Sequence, residues 1–428
     1  MKPRLLTLTV LALCAAAAGV PARADELGAP ADTLAFSPQV PTAPAAAPDS
    51  DFADEGEWLR APFGERLLTE SEQWRDDNRD HQKLTLLFDY NRVDPARPGL
   101  AYEAQVPNSM FPRLGARVEY ATGRERWLYG AQLEQPLLPR GRVALGVSMV
   151  RRTDHSELQQ VDDVENSLAL LFGRQDYRDY FEREGFGAYV AWRVPDFSTV
   201  SIHARNDDYR SLPLWRGTRS FFLRDRELRD NPQVAEGQVH AVLLRLERLA
   251  HRTHRTRAGL YHWIELEHAG DRLGGDFRYD RALADVRSVV RLSPATTLAL
   301  RAVGGTTAAG ALPAQKQFTA GGVDGLRAHA FAQYRGDQLL LGQAEYSIGL
   351  WRLRTGALEG GLHAIAFVDA GRAWTNPEHQ WDVRRQRLQA DGGFGLGTSE
   401  DDLRVYFAKN LQQPRSDFVI SVRIQRPF

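Results

Sequence analysis

The chain has 428 residues and a formal net charge of −1, from 54 Lys and Arg against 55 Asp and Glu. A balance this even excludes a nucleic-acid role driven by net charge, and no nucleic-acid partner is expected. The only cysteine, Cys14, falls in the first 24 residues, which excludes a disulfide framework or a thiolate metal site in a chain processed after them.

Those first residues carry an export pattern. Lys2 and Arg4 form a basic start, "LLTLTVLALCAAAAGV" (5–20) is an apolar core, and "ARA" (22–24) is a small-x-small cleavage site. Residues 1–24 are therefore expected to be a signal peptide, with Asp25 the first mature residue. Taking Lys2, Arg4 and Arg23 from the total leaves a mature net charge of about −4. Beyond residue 24 no apolar run approaches the roughly 20 residues that a membrane helix needs. An exported chain of this kind is either a periplasmic or secreted soluble protein or an outer-membrane β-barrel.

Residues 25–82 form a Pro/Ala-rich acidic linker, expected to be largely disordered around "PTAPAAAPDSDFADEGE" (41–57), with room for a short helix in "EWLRAPFGERLLTESEQWR" (57–75). From Lys83 the texture changes to segments that alternate apolar and polar residues between turn-rich stretches, as in "RVALGVSMV" (142–150) and "LRVYFAKN" (403–410). Sixteen strands are predicted, at 83–92, 113–122, 126–138, 142–152, 165–172, 185–193, 199–206, 238–249, 257–268, 279–292, 296–307, 338–351, 360–374, 387–398, 403–410 and 416–428. "GLAYEAQV" (99–106) competes with the first.

The gaps between strands alternate in length, as expected of barrels with short periplasmic turns and long outer loops. Counting back from a periplasmic C-terminus, 193–199, 292–296, 351–360 and 398–403 are turns, while 206–238 and 307–338 are outer loops. Two gaps run against the pattern: 138–142 is short on the outer side and 152–165 is long on the periplasmic side. Side-chain parity favours a barrel. Phe418, Ile420, Val422 and Ile424 share one face of the last strand with the terminal Phe428, which reads as the C-terminal assembly signal, and Val419, Ser421, Arg423 and Gln425 share the other. A soluble sandwich also alternates, but needs neither sixteen segments nor the aromatics near strand ends at Trp127, Trp192, Trp351 and Trp374. The expected fold is an all-β, transmembrane antiparallel barrel over 83–428.

The predicted loop at 308–337 is long enough to be functional or disordered. Gly321, Gly322 and Gly325 permit backbone angles closed to other residues. Arg327 is either a solvated surface arginine or the anchor of a loop folded into the barrel. Parity supplies partners for the second case: Glu345 faces inward on the next strand, and in "AFVDAG" (366–371) Asp369 shares the inward face with Phe367.

"LPAQKQFTAGGVDGLRAH" (312–329), "GDQLLLGQAEYSIGLW" (336–351), "AFVDAGRAW" (366–374) and the terminal "QRPF" resemble, in order and spacing, the C-terminal barrel of the BamA/TamA superfamily, the bacterial surface-antigen domain. The resemblance implies a sixteen-stranded barrel whose sixth outer loop tucks inside. It implies that Arg327 meets Glu345 and Asp369, with Phe367 packed beside them; held inside in this way, the loop is expected to stiffen the wall opposite the seam between first and last strands. It also implies a role in inserting or translocating a client protein or lipid. Partners are then outer-membrane lipids and the assembly machinery that inserts the chain itself. The family's Gly and aromatic after the arginine are replaced by Ala328 and His329. Residues 25–82 are too few and too Pro/Ala-rich for the family's usual POTRA modules.

Other signals point to no chemistry. His251 and His254 in "HRTHRTR" lack an acid or cysteine neighbour, so no metal is expected. "DGGFGLG" (391–397) lacks phosphate-loop spacing; its glycines at 393, 395 and 397 line one strand face, where a loop or bend can approach. There is no G-x-S-x-G, so no cofactor or enzymatic activity is expected. A passive pore is the alternative function.

Overall fold

The computed structural model describes residues 82–424, apart from 106–109, 139–141, 195–197, 249–258, 294, 356–357, 377, 380, 399–402 and 414, and apart from the side chains of 351–360. The expected signal and linker, the His251/His254 pair, Trp351's side chain and Phe428 lie outside these residues.

Sixteen strands form one antiparallel sheet in chain order. They are β1 (Gln82–Asp89), β2 (Arg97–Ala104), β3 (Arg113–Ala121), β4 (Arg126–Pro136), β5 (Val143–His155), β6 (Tyr180–Val194), β7 (Ser198–Ser211) and β8 (Gly237–Arg248), followed by β9 (Gly259–Ala269), β10 (Tyr279–Ser293), β11 (Thr296–Gly310), β14 (Gln338–Thr355), β15 (Leu358–Trp374), β16 (Gln389–Thr398), β17 (Arg404–Asn410) and β18 (Val419–Arg423). Two short strands, β12 (Phe318–Ala320) and β13 (Tyr334–Gly336), pair only with each other inside the connection from β11 to β14. One helix, α1 (Asp163–Gly173), sits in the connection from β5 to β6.

The two-residue period of the strands sorts their side chains onto two faces. The outward face exposes apolar residues such as Leu86, Phe186, Ile202, Leu244, Leu266 and Ile420. A soluble protein does not leave so much apolar surface wet, so this face is the lipid-contacting wall of a transmembrane barrel. The inward face is ionic and buried. Arginines pair with acids on neighbouring strands: Arg97 with Glu119 at 3.0 Å, Arg183 with Asp154 at 2.8 Å, Arg245 with Glu265 at 2.5 Å and Arg301 with Asp285 at 2.8 Å. Polar groups cut off from water must find partners, and here the strand period supplies them.

The structure corrects the predicted strand set at two places. "GLAYEAQV" does not compete with the first strand, because β1 and β2 both form and pair over Gln82↔Ala104 to Asp89↔Arg97. Residues 165–172 are not a strand but part of α1, capped by Asp162 accepting from Val164 N at 2.7 Å. The two differences cancel in the count yet shift the alternation of connections by one step. Both misfits then vanish: the short 137–142 gap joins the turn end of the sheet, and the long 156–179 connection joins 212–236 and 311–337 at the other end. Trp127 and Trp192 are exposed near strand ends, whereas Trp374 is buried against Trp381 and belongs to no girdle.

Candidate functional site

The 311–337 connection turns back into the barrel. Phe318 and Leu326 are fully buried in an apolar cluster with Leu283 of β10, Val303 of β11 and Leu339 and Leu341 of β14. Lys316 reaches Glu267 of β9 at 2.9 Å. The fold-back needs glycine at two points. Gly321 has φ +115°, and a Cβ there would lie 2.4 Å from the Ala330 carbonyl oxygen; Gly322 has φ +88° and donates to both Leu326 O and His329 O at 3.1 Å.

This compact turn presents Arg327, 2% exposed, to the inner faces of β14 and β15. Its Nη1 donates to Glu345 Oε2 at 3.2 Å, and its Nη2 donates to Asp369 Oδ1 at 3.1 Å. Nε lies 3.0 Å from Asp369 Oδ2, so the guanidinium faces Asp369 with two nitrogens at once. Burial alone would lower the arginine's pKa, but Asp369 and then Glu345 offset it and hold the group above its ordinary value. The guanidinium carbon also lies 3.9 Å from the centre of the Phe367 ring and 4.7 Å from that of Tyr406. A planar cation suits both the carboxylate fork and the ring faces.

Further anchors surround the residues named from sequence. Arg404 of β17 pairs with Glu345, and the Tyr406 hydroxyl donates to Glu345 Oε2 at 3.0 Å. Gln343 donates to Asp369 Oδ1 at 3.2 Å and to Gly325 O at 2.9 Å, which ties strand and loop together. Asp391 of β16 accepts from Ala328 N at 2.7 Å and lies 3.0 Å from His329 Nδ1. His329 Nε2 sits 3.2 Å from Asn410 of β17, and its ring packs on Tyr334. The two residues that depart from the family pattern are thus both held by Asp391. Parity on β16 and β17 places Asp391, Arg404, Tyr406 and Asn410 inward, but nothing in the sequence says that the loop reaches past β15.

The glycines of "DGGFGLG" belong to this site as well. A Cβ at Gly393 would lie 2.0 Å from Phe407 O and 2.8 Å from the Phe367 ring, and one at Gly395 would lie 3.0 Å from the Tyr406 ring. Their bareness leaves room for the two rings, which meet edge-on at 85° and both lie against Arg327. One expectation changes. Arg327 does not brace the wall opposite the seam, because its partners lie on β14, β15 and β17, close to the β18 end of the sheet. Among the described residues no group of three or more His, Cys, Asp or Glu is arranged to hold a metal ion.

An apolar outer wall, an ionic lumen and an inward loop seated on an arginine define a transmembrane β-barrel with an inward-folded loop. Residues 252–427 match the Omp85 superfamily domain, which bears out the BamA/TamA-type resemblance for the C-terminal part of the chain. No curated protein sequence matches. Among solved structures, the chain is similar to BamA from Haemophilus ducreyi lacking POTRA domains 1–3, at 13% identity and TM-score 0.53, over 80% of this chain and 70% of that one. CdiB from Acinetobacter baumannii gives 14% identity and TM-score 0.43, and CdiB from Escherichia coli 10% and 0.46, over 80% of this chain and 59% and 62% of theirs. The BamA similarity supports the fold; the two CdiB scores are too low to bear on it.

Proposed function

We propose that the chain is an Omp85-type barrel of the bacterial outer membrane that takes part in inserting or translocating a client protein or lipid, and that it acts without catalysis. The observation that carries this reading is the uneven sheet. β10, β11, β14 and β15 run 15 to 18 residues, whereas β1 and β2 have eight, β17 seven and the described part of β18 five. A membrane strand needs about 9–11 residues. The ladder is therefore thinnest at its two ends, where β1 and β18 offer edges to an incoming strand. The loop seated on Arg327 turns into the lumen, and a lumen it obstructs would favour traffic through the wall over traffic through the bore. Outer-membrane lipids are the expected surroundings, and the general assembly machinery would insert the barrel itself.

The test is to delete the protein and compare outer-membrane protein and surface-lipid composition with the parent strain. Loss of a defined subset of proteins or of a surface lipid is expected. Identical compositions would overturn the reading in favour of a passive barrel.

A further inference from the structure

α1 buries the wrong residues for an ordinary amphipathic helix. Glu165, Asn166 and Ser167 are buried along with Leu170, while Val164 and Phe172 are exposed. Leu170 alone does not account for three buried polar neighbours, so those groups must be explained by what they touch.

They touch both ends of the sheet. Ser167 Oγ donates to Asp89 Oδ1 of β1 at 3.0 Å and accepts from Tyr90 N, just after β1, at 2.9 Å. Two residues earlier on the helix, Glu165 Oε1 lies 2.5 Å from Arg423 Nε of β18. Residues two apart point to different sides of a helix, so one turn reaches two strands. Asn166, between them, donates to Tyr180 OH at 2.8 Å and accepts from Tyr177 N at 2.8 Å, fixing the turn to its own connection.

Each end has a second tie to the same lumenal assembly. Past β1, Arg92 N donates to Asp176 Oδ2 at 3.0 Å and Arg92 Nη2 reaches Asp179 Oδ1 at 3.2 Å, both in the α1 connection. Arg423 of β18 also lies 3.1 Å from Asp324 and donates to Val323 O at 3.2 Å, both in the Arg327 loop. Asp324 in turn accepts from Gln160 N at 2.8 Å, so the two lumenal connections meet there. The base of the assembly rests on β10, through Arg281 to Glu157 at 3.2 Å and Arg287 to Gln160 Oε1 at 2.5 Å.

We infer that α1 is an internal clasp: a lumenal helix that holds β1 through Ser167 and β18 through Glu165, so that the first and last strands are joined by side chains from inside the barrel. The clasp stands on the barrel alone; only the further step, that a client strand must displace it to enter, rests on the insertion function proposed above.

Hydrogen–deuterium exchange of the purified, folded full chain in detergent tests it, read separately for peptides covering β1, β18 and the β10–β11 pair. Glu165→Ala should speed exchange in β18 by about tenfold or more, with a smaller change in β1. Ser167→Ala should do the reverse, and β10–β11 should keep the parent rate in both. Should Glu165→Ala fail to fold, Glu165→Gln keeps the side-chain volume and loses the charge, and its β18 rate is read in the same way. Unchanged exchange at β1 and β18, or an equal rise in every strand, would overturn the clasp. Because no client is present, either result leaves the insertion reading to the deletion experiment.

Discussion

Replacing Arg327 with alanine leaves its two carboxylates in unequal positions. Glu345 keeps Arg404 and the Tyr406 hydroxyl, whereas Asp369 keeps Gln343 as its remaining donor. Breaking a buried pair costs about 3–5 kcal/mol, and the partners that both carboxylates keep should bring the loss toward the low end. Arg327→Ala is therefore expected to lower the unfolding midpoint and the folded fraction on semi-native gels, with the penalty concentrated on Asp369. Adding Asp369→Asn to that variant removes the stranded charge and should recover part of the loss. Arg327→Lys keeps the charge but loses the fork and the plane that packs on Phe367 and Tyr406, and should fall between parent and alanine. Equal stability of parent and Arg327→Ala would remove the ion pair as an anchor. At this scale much was legible. An arginine set among glycines, with acids at inward parity on the next two strands, is visible in one dimension. Tyr406 and Asp391 were not, because their roles depend on how deep the loop sinks, which is a property of packing rather than of period.

At the scale of elements, β16 shows how a strand can be shaped by what it must not carry. Gly393 lies against Phe407 O and the Phe367 ring, so Gly393→Val must displace backbone or ring. The expected outcome is a barrel that folds in lower yield and releases the 311–337 connection to protease, whereas Gly115→Val, at a glycine whose Cβ would have only Gln132 Cβ at 3.8 Å, should be mild. Similar protease patterns for the two would contradict the packing role. α1 was misread for a physical reason. "SLALLFG" alternates well enough for a strand, and the polar residues before it resemble a turn. The usable signal was the start: Asp162 followed three residues later by Glu165 is an N-cap pattern. The helix closes on Arg174 at φ +50°, so the left-handed residue is one past Gly173, where the sequence would place it.

For the whole molecule, the strand count was legible because each strand repeats the same alternation, and the ionic lumen follows from that parity. The direction of the N-terminal half was not, since one strand taken only as a competitor of the first and one wrongly added preserve the number and invert every connection between them. The same parity leaves the interior unspecified: strands announce which face is polar, but not that two connections enter from the long-loop end and meet at Asp324. That meeting ties the two connections to each other and to β18 inside the barrel. The central claim is that the Arg327 loop plugs the lumen, and single-channel recording in a planar bilayer tests it most directly. The parent protein should stay mostly closed with brief openings, and Arg327→Ala should open for longer and at higher conductance. A parent protein that conducts steadily, at the same level as Arg327→Ala, would contradict the account.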